Sequence, residues 1–376
     1  MAEKEYKYTA TCLFGLEALL GEEIDRLGYK RVETIDGRVS FTGDVSACAR
    51  CNINLRFAER LYLNLASFEA KTFSDVFDSV AEIPLEDYIG KNDAFPVKGH
   101  SIKSALFSVP DLQRIIKKSA AKRLGAVYGA ETLPETGTKY QIEFFLLKDI
   151  CTVMIDLSGV PLHKRGYRPE RVTAPLRETL AAAIAKTSRP RENVLLWDPF
   201  CGSGTIAVEA AMIMKNIAPG VNRSFISESY PAFPSDTWER ARKEARESVA
   251  DTAFRARATD IDPECVRIAR ESAERAGVSD IIEIYEMNAM DIDSGGLRGT
   301  VVTNPPYGER LMTVKQVEKL YREMGDAFRR LENWQFYILT SHEGFEPLFR
   351  RRADKVRRLY NGMIPCYLYQ FFKNKK

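Results

Sequence analysis

The spacing of apolar positions changes along the chain, and the changes divide it. Residues 6–12 alternate as a strand, and Leu16, Leu19, Leu20, Ile24 and Leu27 then fall on one face of a helix over 16–27. Two short alternating runs around Ile35 and Phe41 flank Asp36-Gly37, a hairpin turn signal. Together they make a small α+β unit. From 45 to 159 helices over 45–56, 72–80 and 110–127 mix with strands over 60–68, near 101–107, over 140–148 and over 150–156. Mixing without strict alternation is again α+β.

Beyond 172 the rhythm becomes strand-helix alternation. It predicts helices over 174–186, 205–216, 263–276 and 315–331, with strands over 194–197, 257–260, 281–287, 300–303 and 336–340. This is a doubly wound parallel sheet. The end differs: 355–360 and 367–372 flank Asn361-Gly362, which predicts an antiparallel hairpin. No internal repeat or low-complexity tract is visible.

Composition narrows the function classes. The 376 residues are 45% hydrophobic and 28% charged, with 55 Lys+Arg against 52 Asp+Glu, a formal charge of +3. A disordered chain and a histone-like polycation are both excluded. No apolar run approaches the ~20 residues that span a bilayer, and residues 1–7 are charged with no apolar stretch behind them, so a cytoplasmic protein is expected. Seven scattered cysteines and three histidines fit reduced thiols; Cys48 and Cys51 lack a second ligand pair, and no metal site is expected.

Charge is uneven. Residues 1–160 hold 20 basic and 23 acidic side chains, leaving 35 and 29 for 161–376, so the two parts carry −3 and +6. Three basic clusters stand out: Lys103, Arg114, Lys117, Lys118, Lys122 and Arg123; Lys164, Arg165, Arg168 and Arg171; and Arg350, Arg351, Arg352, Lys355, Arg357 and Arg358. One such cluster is most often a solvated face, but three in one chain point to a polyanionic partner.

Chemistry-bearing residues sit at the strand ends of the second half. Asp198-Pro199-Phe200-Cys201-Gly202-Ser203-Gly204 joins the first strand to a helix, where glycines let a ligand approach the backbone. Gly202-x-Gly204-x-x-Ala207 also fits a dinucleotide fingerprint. Against NAD, the acid Asp198 precedes the glycines, where it suits a cationic amino-acid moiety, and no hydride-transfer acid or base lies near the sheet. Asp260 ends the second strand, where a carboxylate accepts ribose hydroxyls, and Asn288-Ala289 follows the third at the height of an adenine edge. An acid for an amino acid, an acid for a ribose and an amide for adenine describe S-adenosylmethionine.

Asn304-Pro305-Pro306-Tyr307 ends the fourth strand. The exocyclic amine of a base is a poor nucleophile because its lone pair is delocalised into the ring. The Asn304 amide oxygen and the Pro305 carbonyl, accepting its two hydrogens, localise that pair and aim it at a methyl group. Two prolines fix the backbone, and Tyr307 can stack on the base. No covalent nucleophile is required.

Asp-Pro-Phe-Cys-Gly-Ser-Gly-Thr, Ile217-Ala218-Pro219-Gly220, Thr259-Asp260-Ile261-Asp262 and Asn304-Pro305-Pro306-Tyr307-Gly308-Glu309-Arg310, with Gly15-Leu16-Glu17 and Val109-Pro110-Asp111 upstream, resemble the THUMP-domain class I methyltransferases of the YpsC and RlmL group. The resemblance spans nearly the whole chain. It implies a ferredoxin-like α+β domain over 1–44, a THUMP RNA-binding domain over 45–160, and a Rossmann-like methyltransferase domain over 161–376 with a seven-stranded sheet and terminal hairpin. It also implies methylation of guanine N2 in 23S rRNA, with S-adenosylmethionine held by Asp198, Phe200, Gly202, Gly204, Thr205, Asp260, Ile261, Asn288 and Ala289. A guanine in tRNA, adenine N6, and a non-catalytic RNA-binding assembly factor remain as alternatives.

RNA contacts are expected from Lys103, Arg114, Lys117, Lys118 and Lys122, and from Arg165, Tyr167 and Arg168 in the stretch joining the two halves, where phosphates would be gripped and a base stacked. Asp198 and Asp260 lie 62 residues apart, where one βαβ unit expects ~20. The extra segment, 218–253, is aromatic and charged, and is read as a scaffold rather than an RNA-facing insertion.

Overall fold

The computed structural model of the chain describes residues 5–169, 176–307 and 313–372. Arg171 and the stretch Gly308-Glu309-Arg310 lie outside them. In chain order the first half contains β1 (Tyr6–Cys12), α1 (Glu17–Arg26), β2 (Lys30–Ile35), β3 (Arg38–Gly43), α2 (Ser46–Asn54), β4 (Ala58–Glu69), α3 (Phe73–Glu82), β5 (Val97–Ile102), α4 (Val109–Tyr128), β6 (Ile142–Leu147) and β7 (Ile150–Asp156). These seven strands form one sheet in the order β2-β3-β1-β4-β7-β6-β5. β4 pairs with β1 on one side and β7 on the other, so the sheet runs unbroken from the first α+β unit into the second. The strand expected near 101–107 is displaced to Val97–Ile102. Gly99 lies inside this strand opposite Phe144, whose carbonyl oxygen would lie 2.2 Å from any Cβ, so only glycine fits.

The second half contains α5 (Glu178–Thr187), β8 (Leu195–Asp198), α6 (Thr205–Met214), α7 (Ser235–Glu247), β9 (Ala256–Asp260), α8 (Pro263–Arg275), β10 (Ile282–Glu286), β11 (Gly299–Thr303), α9 (Val314–Phe328), β12 (Gln335–Thr340), α10 (Phe345–Phe349), β13 (Lys355–Asn361) and β14 (Ile364–Phe371). Its sheet order is β10-β9-β8-β11-β12-β14-β13, parallel except for the last hairpin. Its central strands need not alternate because helices cover both faces: all five residues of β11 are buried, threonines included. One apolar cluster, containing α5, α6 and α8, continues into the first sheet; a second, around Trp197, Tyr321, Phe328 and Phe349, fills the opposite face under α9 and α10.

The segment 218–253 packs on the first half. Arg50 of α2 makes two bonds to the Glu244 carboxylate of α7, at 3.1 and 2.9 Å, and the Gly220 amide donates to the Ile53 carbonyl at 2.8 Å. Tyr230 stacks on Tyr140 with ring centroids 4.1 Å apart, and its hydroxyl donates to the Lys139 carbonyl. The aromatic residues of this segment therefore lock the two halves together, with Phe225, Tyr230, Phe233 and Trp238 all buried. Cys48 and Cys51 are buried on α2 beside it; burial pushes the Cys48 thiol up to about 12, and its Sγ lies 3.4 Å from the Ser227 hydroxyl. No described helix is long and apolar enough to cross a membrane.

Candidate active site and cofactor cradle

Strand pairing builds the site. β10, β9, β8 and β11 are parallel neighbours, with Glu286 opposite Asp260 and Asp198 opposite Ala258. Their carboxyl ends present Asn288, Asp260, Asp198 and Asn304 along one edge, across three strand spacings of about 4.8 Å each. A nucleoside joined to an amino acid can bridge that span.

Asp198 is 1% exposed. The Thr303 hydroxyl donates to its Oδ1 at 2.6 Å and the Phe200 amide donates to the same oxygen at 3.3 Å. Burial, with the Asp260 charge adding to it, pushes the carboxyl up to about 7 against those two bonds. Among the described residues no donor reaches Oδ2. A buried acid with an open oxygen is suited to a cationic ammonium group, which would restore its charge. Asp260 is preset by two backbone amides, Gly202 to Oδ2 at 2.8 Å and Asp262 to Oδ1 at 3.1 Å, and each oxygen keeps acceptor capacity for a hydroxyl.

The two glycines have separate tasks. Gly202 has φ +51 and nothing within 4 Å of where a Cβ would stand, so a ligand can lie on its backbone. At Gly204, φ +76, a Cβ would come within 3.0 Å of the Ala269 Cβ, so this glycine seats α6 against α8. Thr205 begins α6 and its hydroxyl pairs with Ser203 at 3.0 Å. Ile261 is 66% exposed beside Asp260, an apolar wall in the open. Asn288 is exposed and its Oδ1 accepts the Met290 amide at 3.0 Å, which leaves its NH2 group as the end that can meet a ligand; Ala289 is buried in the short turn.

At the fourth strand end the Asn304 Oδ1 is buried and has no hydrogen-bond donor among the described residues. Orphaned buried acceptors are rare and cost about 1–3 kcal/mol, so the atom is prepared for an incoming N–H. The Pro306 carbonyl is engaged, accepting from the Tyr321 hydroxyl at 2.9 Å, and that hydroxyl also lies 2.8 Å from the Thr340 hydroxyl. Tyr307 is held through its oxygen, which accepts from the Asn361 amide at 3.0 Å. Thr303, Tyr321 and Asn361 escaped the sequence reading. Thr303 adjoins Asn304 and was discoverable; Tyr321 lies in a helix with no local signal; Asn361 reads only as a turn residue.

The joining segment corrects the expected RNA contacts. Arg165 and Tyr167 are 5% and 4% exposed and cannot reach phosphate or stack a solvent-borne base. The Tyr167 hydroxyl donates to Glu209 Oε1 at 3.0 Å, Arg165 pairs with the same oxygen at 3.4 Å, and Arg56 pairs with Oε2 at 3.1 Å. Glu209, fully buried on α6, thus ties the first half and the joining segment to the helix that follows the glycine loop. Arg168 donates to the Thr205 hydroxyl at 3.1 Å and to the Leu176 carbonyl at 2.7 Å, so it braces the cradle from inside. On α4, Arg114 is paired with Asp111 and Lys117 with Glu135, whereas Lys118 and Lys122, like Lys103, are exposed and pair with no carboxylate among the described residues.

Comparison with known proteins agrees with this geometry. Models of the RlmL ferredoxin-like domain, the THUMP domain and the RMKL-like methyltransferase domain match residues 7–62, 70–156 and 165–370. The chain is 44% identical over 372 residues to a putative RNA methyltransferase YpsC of Bacillus subtilis, covering 98% of this chain and 96% of that protein. It is 34% identical over 373 residues to ribosomal RNA large subunit methyltransferase K/L of Legionella pneumophila, covering 97% of this chain but only 52% of that longer protein. The crystal structure of a putative methyltransferase complexed with SAH superposes with a TM-score of 0.92 at 40% identity, covering 100% of both chains. An acid with an open oxygen, a bare Gly202 backbone and an orphaned Asn304 oxygen fit S-adenosylmethionine and an amine, and the chain belongs to the RMKL-like, S-adenosylmethionine-dependent methyltransferases with N-terminal RlmL ferredoxin-like and THUMP domains.

Proposed function

We propose that the protein methylates the exocyclic N2 amine of a guanine in 23S rRNA. The observation that carries the amine assignment is the buried Asn304 Oδ1, which has no donor among the described residues. S-adenosylmethionine, when bound, supplies an electrophilic methyl group. Asn304 Oδ1 and the Pro305 carbonyl accept the two amine hydrogens and hold the nitrogen lone pair out of the ring system. Tyr321, by fixing the Pro306 carbonyl, keeps that backbone from relaxing. Tyr307 offers a face for the base, and the surplus proton leaves to solvent after transfer.

The THUMP domain and the ribosomal RNA relative support an RNA substrate, and the family resemblance supports guanine N2. The target must leave its stack to reach Asn304, so naked or partly assembled RNA is the expected substrate. Tritiated S-adenosylmethionine incubated with 23S rRNA lacking the modification tests the reading: label should appear in N2-methylguanosine after digestion. Label in N6-methyladenosine, or in tRNA alone, would redirect the assignment, and no label in any RNA would sink it.

A further inference from the structure

The turn joining β13 to β14 lies at the carboxyl end of the parallel strands, beside the catalytic loop. Its Asn361 holds Tyr307, and the preceding residue, Tyr360, meets Phe14 edge-on at 5.8 Å between ring centroids. Phe14 belongs to the loop between β1 and α1, in the first half of the chain. The loop is built against the hairpin: a Cβ at Gly15, φ +89, would stand 3.3 Å from the Arg358 carbonyl. The Glu17 carboxylate fastens it, accepting from the Gly15 amide at 2.9 Å and the Gly37 amide at 2.8 Å. Phe14 is nevertheless 52% exposed, and Met363 at the hairpin tip is 94% exposed. A large ring held rigid and left open is a prepared stacking surface.

Charge at the same edge identifies the occupant. The Arg358 guanidinium lies over the Tyr360 ring at 5.4 Å. Arg358 pairs with no carboxylate among the described residues, whereas Arg114, Lys117 and Arg123 of α4 are all neutralised, the last by Glu86; Arg352 and Lys355 lie towards the opposite end of β13 and take no part. An unpaired cation beside an open aromatic ring is the chemistry that holds an unstacked nucleotide.

We propose that Phe14, Tyr360 and Arg358 form a wall that holds the nucleotide next to the methylated one, with Asn361 as a positioning residue for Tyr307. The first domain then contributes directly to the catalytic pocket. This rests on the RNA reading above. The test is steady-state kinetics of the full chain on the RNA that the wild type labels, with cofactor affinity and thermal melting measured beside them. Phe14→Ala and Tyr360→Ala should raise KM for RNA about fivefold or more, as loss of one base stack requires, with cofactor affinity unchanged. Phe14→Leu, which keeps apolar packing without a ring, should lose as much, and Phe14→Trp should lose little. Asn361→Ala should lower kcat with KM for RNA little changed, and Asn361→Gln should recover part of it. Folded Phe14→Ala and Tyr360→Ala with wild-type KM would overturn the proposal, as would a fully active Phe14→Leu. A wild type that labels no RNA would defeat the parent reading and this inference with it; labelled RNA with unchanged KM defeats this inference alone.

Discussion

The hydroxyl of Thr303 donates to the carboxylate of Asp198 across 105 positions of sequence, at 2.6 Å. The bond joins the end of β11, where the amine-accepting loop begins, to the end of β8, where the cofactor cradle begins. The loops proposed to hold the amine and the cofactor therefore leave adjacent, directly bonded strand ends.

Cofactor affinity should depend on pH through Asp198. Its carboxyl sits at about 7 in the free protein because it is buried, and an ammonium partner requires the charged form. Affinity should be level above pH 7 and fall below it, approaching tenfold per pH unit. Calorimetry in two buffers of different ionisation enthalpy should detect proton release on binding near pH 7. A flat profile from pH 5.5 to 8 would place the ammonium elsewhere.

The same shift has the opposite sign for stability. A carboxyl raised on folding binds its proton more tightly in the native state, so ionising it above its ordinary range costs stability, progressively up to about pH 7. Asp198→Asn keeps an acceptor for Thr303 and removes the charge. It should raise stability at pH 8 by about 1–3 kcal/mol while abolishing cofactor binding, as read by denaturant unfolding and calorimetry.

Asn304→Ala should reduce turnover by about a hundredfold or more with cofactor affinity nearly intact, since Asn304 acts on the amine. Loss of both together would mean that Asn304 serves the cofactor instead.

Arg165→Ala should act on stability rather than on RNA. It strips a buried partner from Glu209 and should cost about 3–5 kcal/mol, with RNA affinity of the folded protein unchanged. On α4 the paired and unpaired lysines should separate. Replacing Lys118 and Lys122 by Ala should make the salt dependence of RNA binding shallower by about 1.5 in log-log slope, whereas Lys117→Ala should chiefly release Glu135. An unchanged slope in the double variant would return that helix to a solvated face.

The strand-end chemistry was legible because Asp198, Asp260, Asn288 and Asn304 each follow a short strand in a strand-helix alternation and so fall at one edge of a parallel sheet. The hairpin was legible from Asn361-Gly362. What escaped depended on distant partners. Arg165 and Tyr167 look like a basic, aromatic surface stretch, and only Glu209, more than 40 positions away on an otherwise apolar helix, converts them into a buried brace. Segment 218–253 shows its aromatic content but not the rings of the first half that it meets, Tyr140 for Tyr230 and Tyr6 for Phe233. Net charge was a poor guide to which cations are available: on α4 Arg114, Lys117 and Arg123 are paired, whereas Lys118, Lys122 and, near the end of β13, Arg358 pair with no carboxylate among the described residues.

The most direct test of the central claim is nucleoside analysis of 23S rRNA, purified without the modification, after incubation with the protein and methyl-labelled S-adenosylmethionine. Label should enter N2-methylguanosine with the wild type, and about a hundredfold or more slowly with Asn304→Ala. Label entering at the wild-type rate with Asn304→Ala, or entering no RNA base with the wild type, would contradict the proposed reaction.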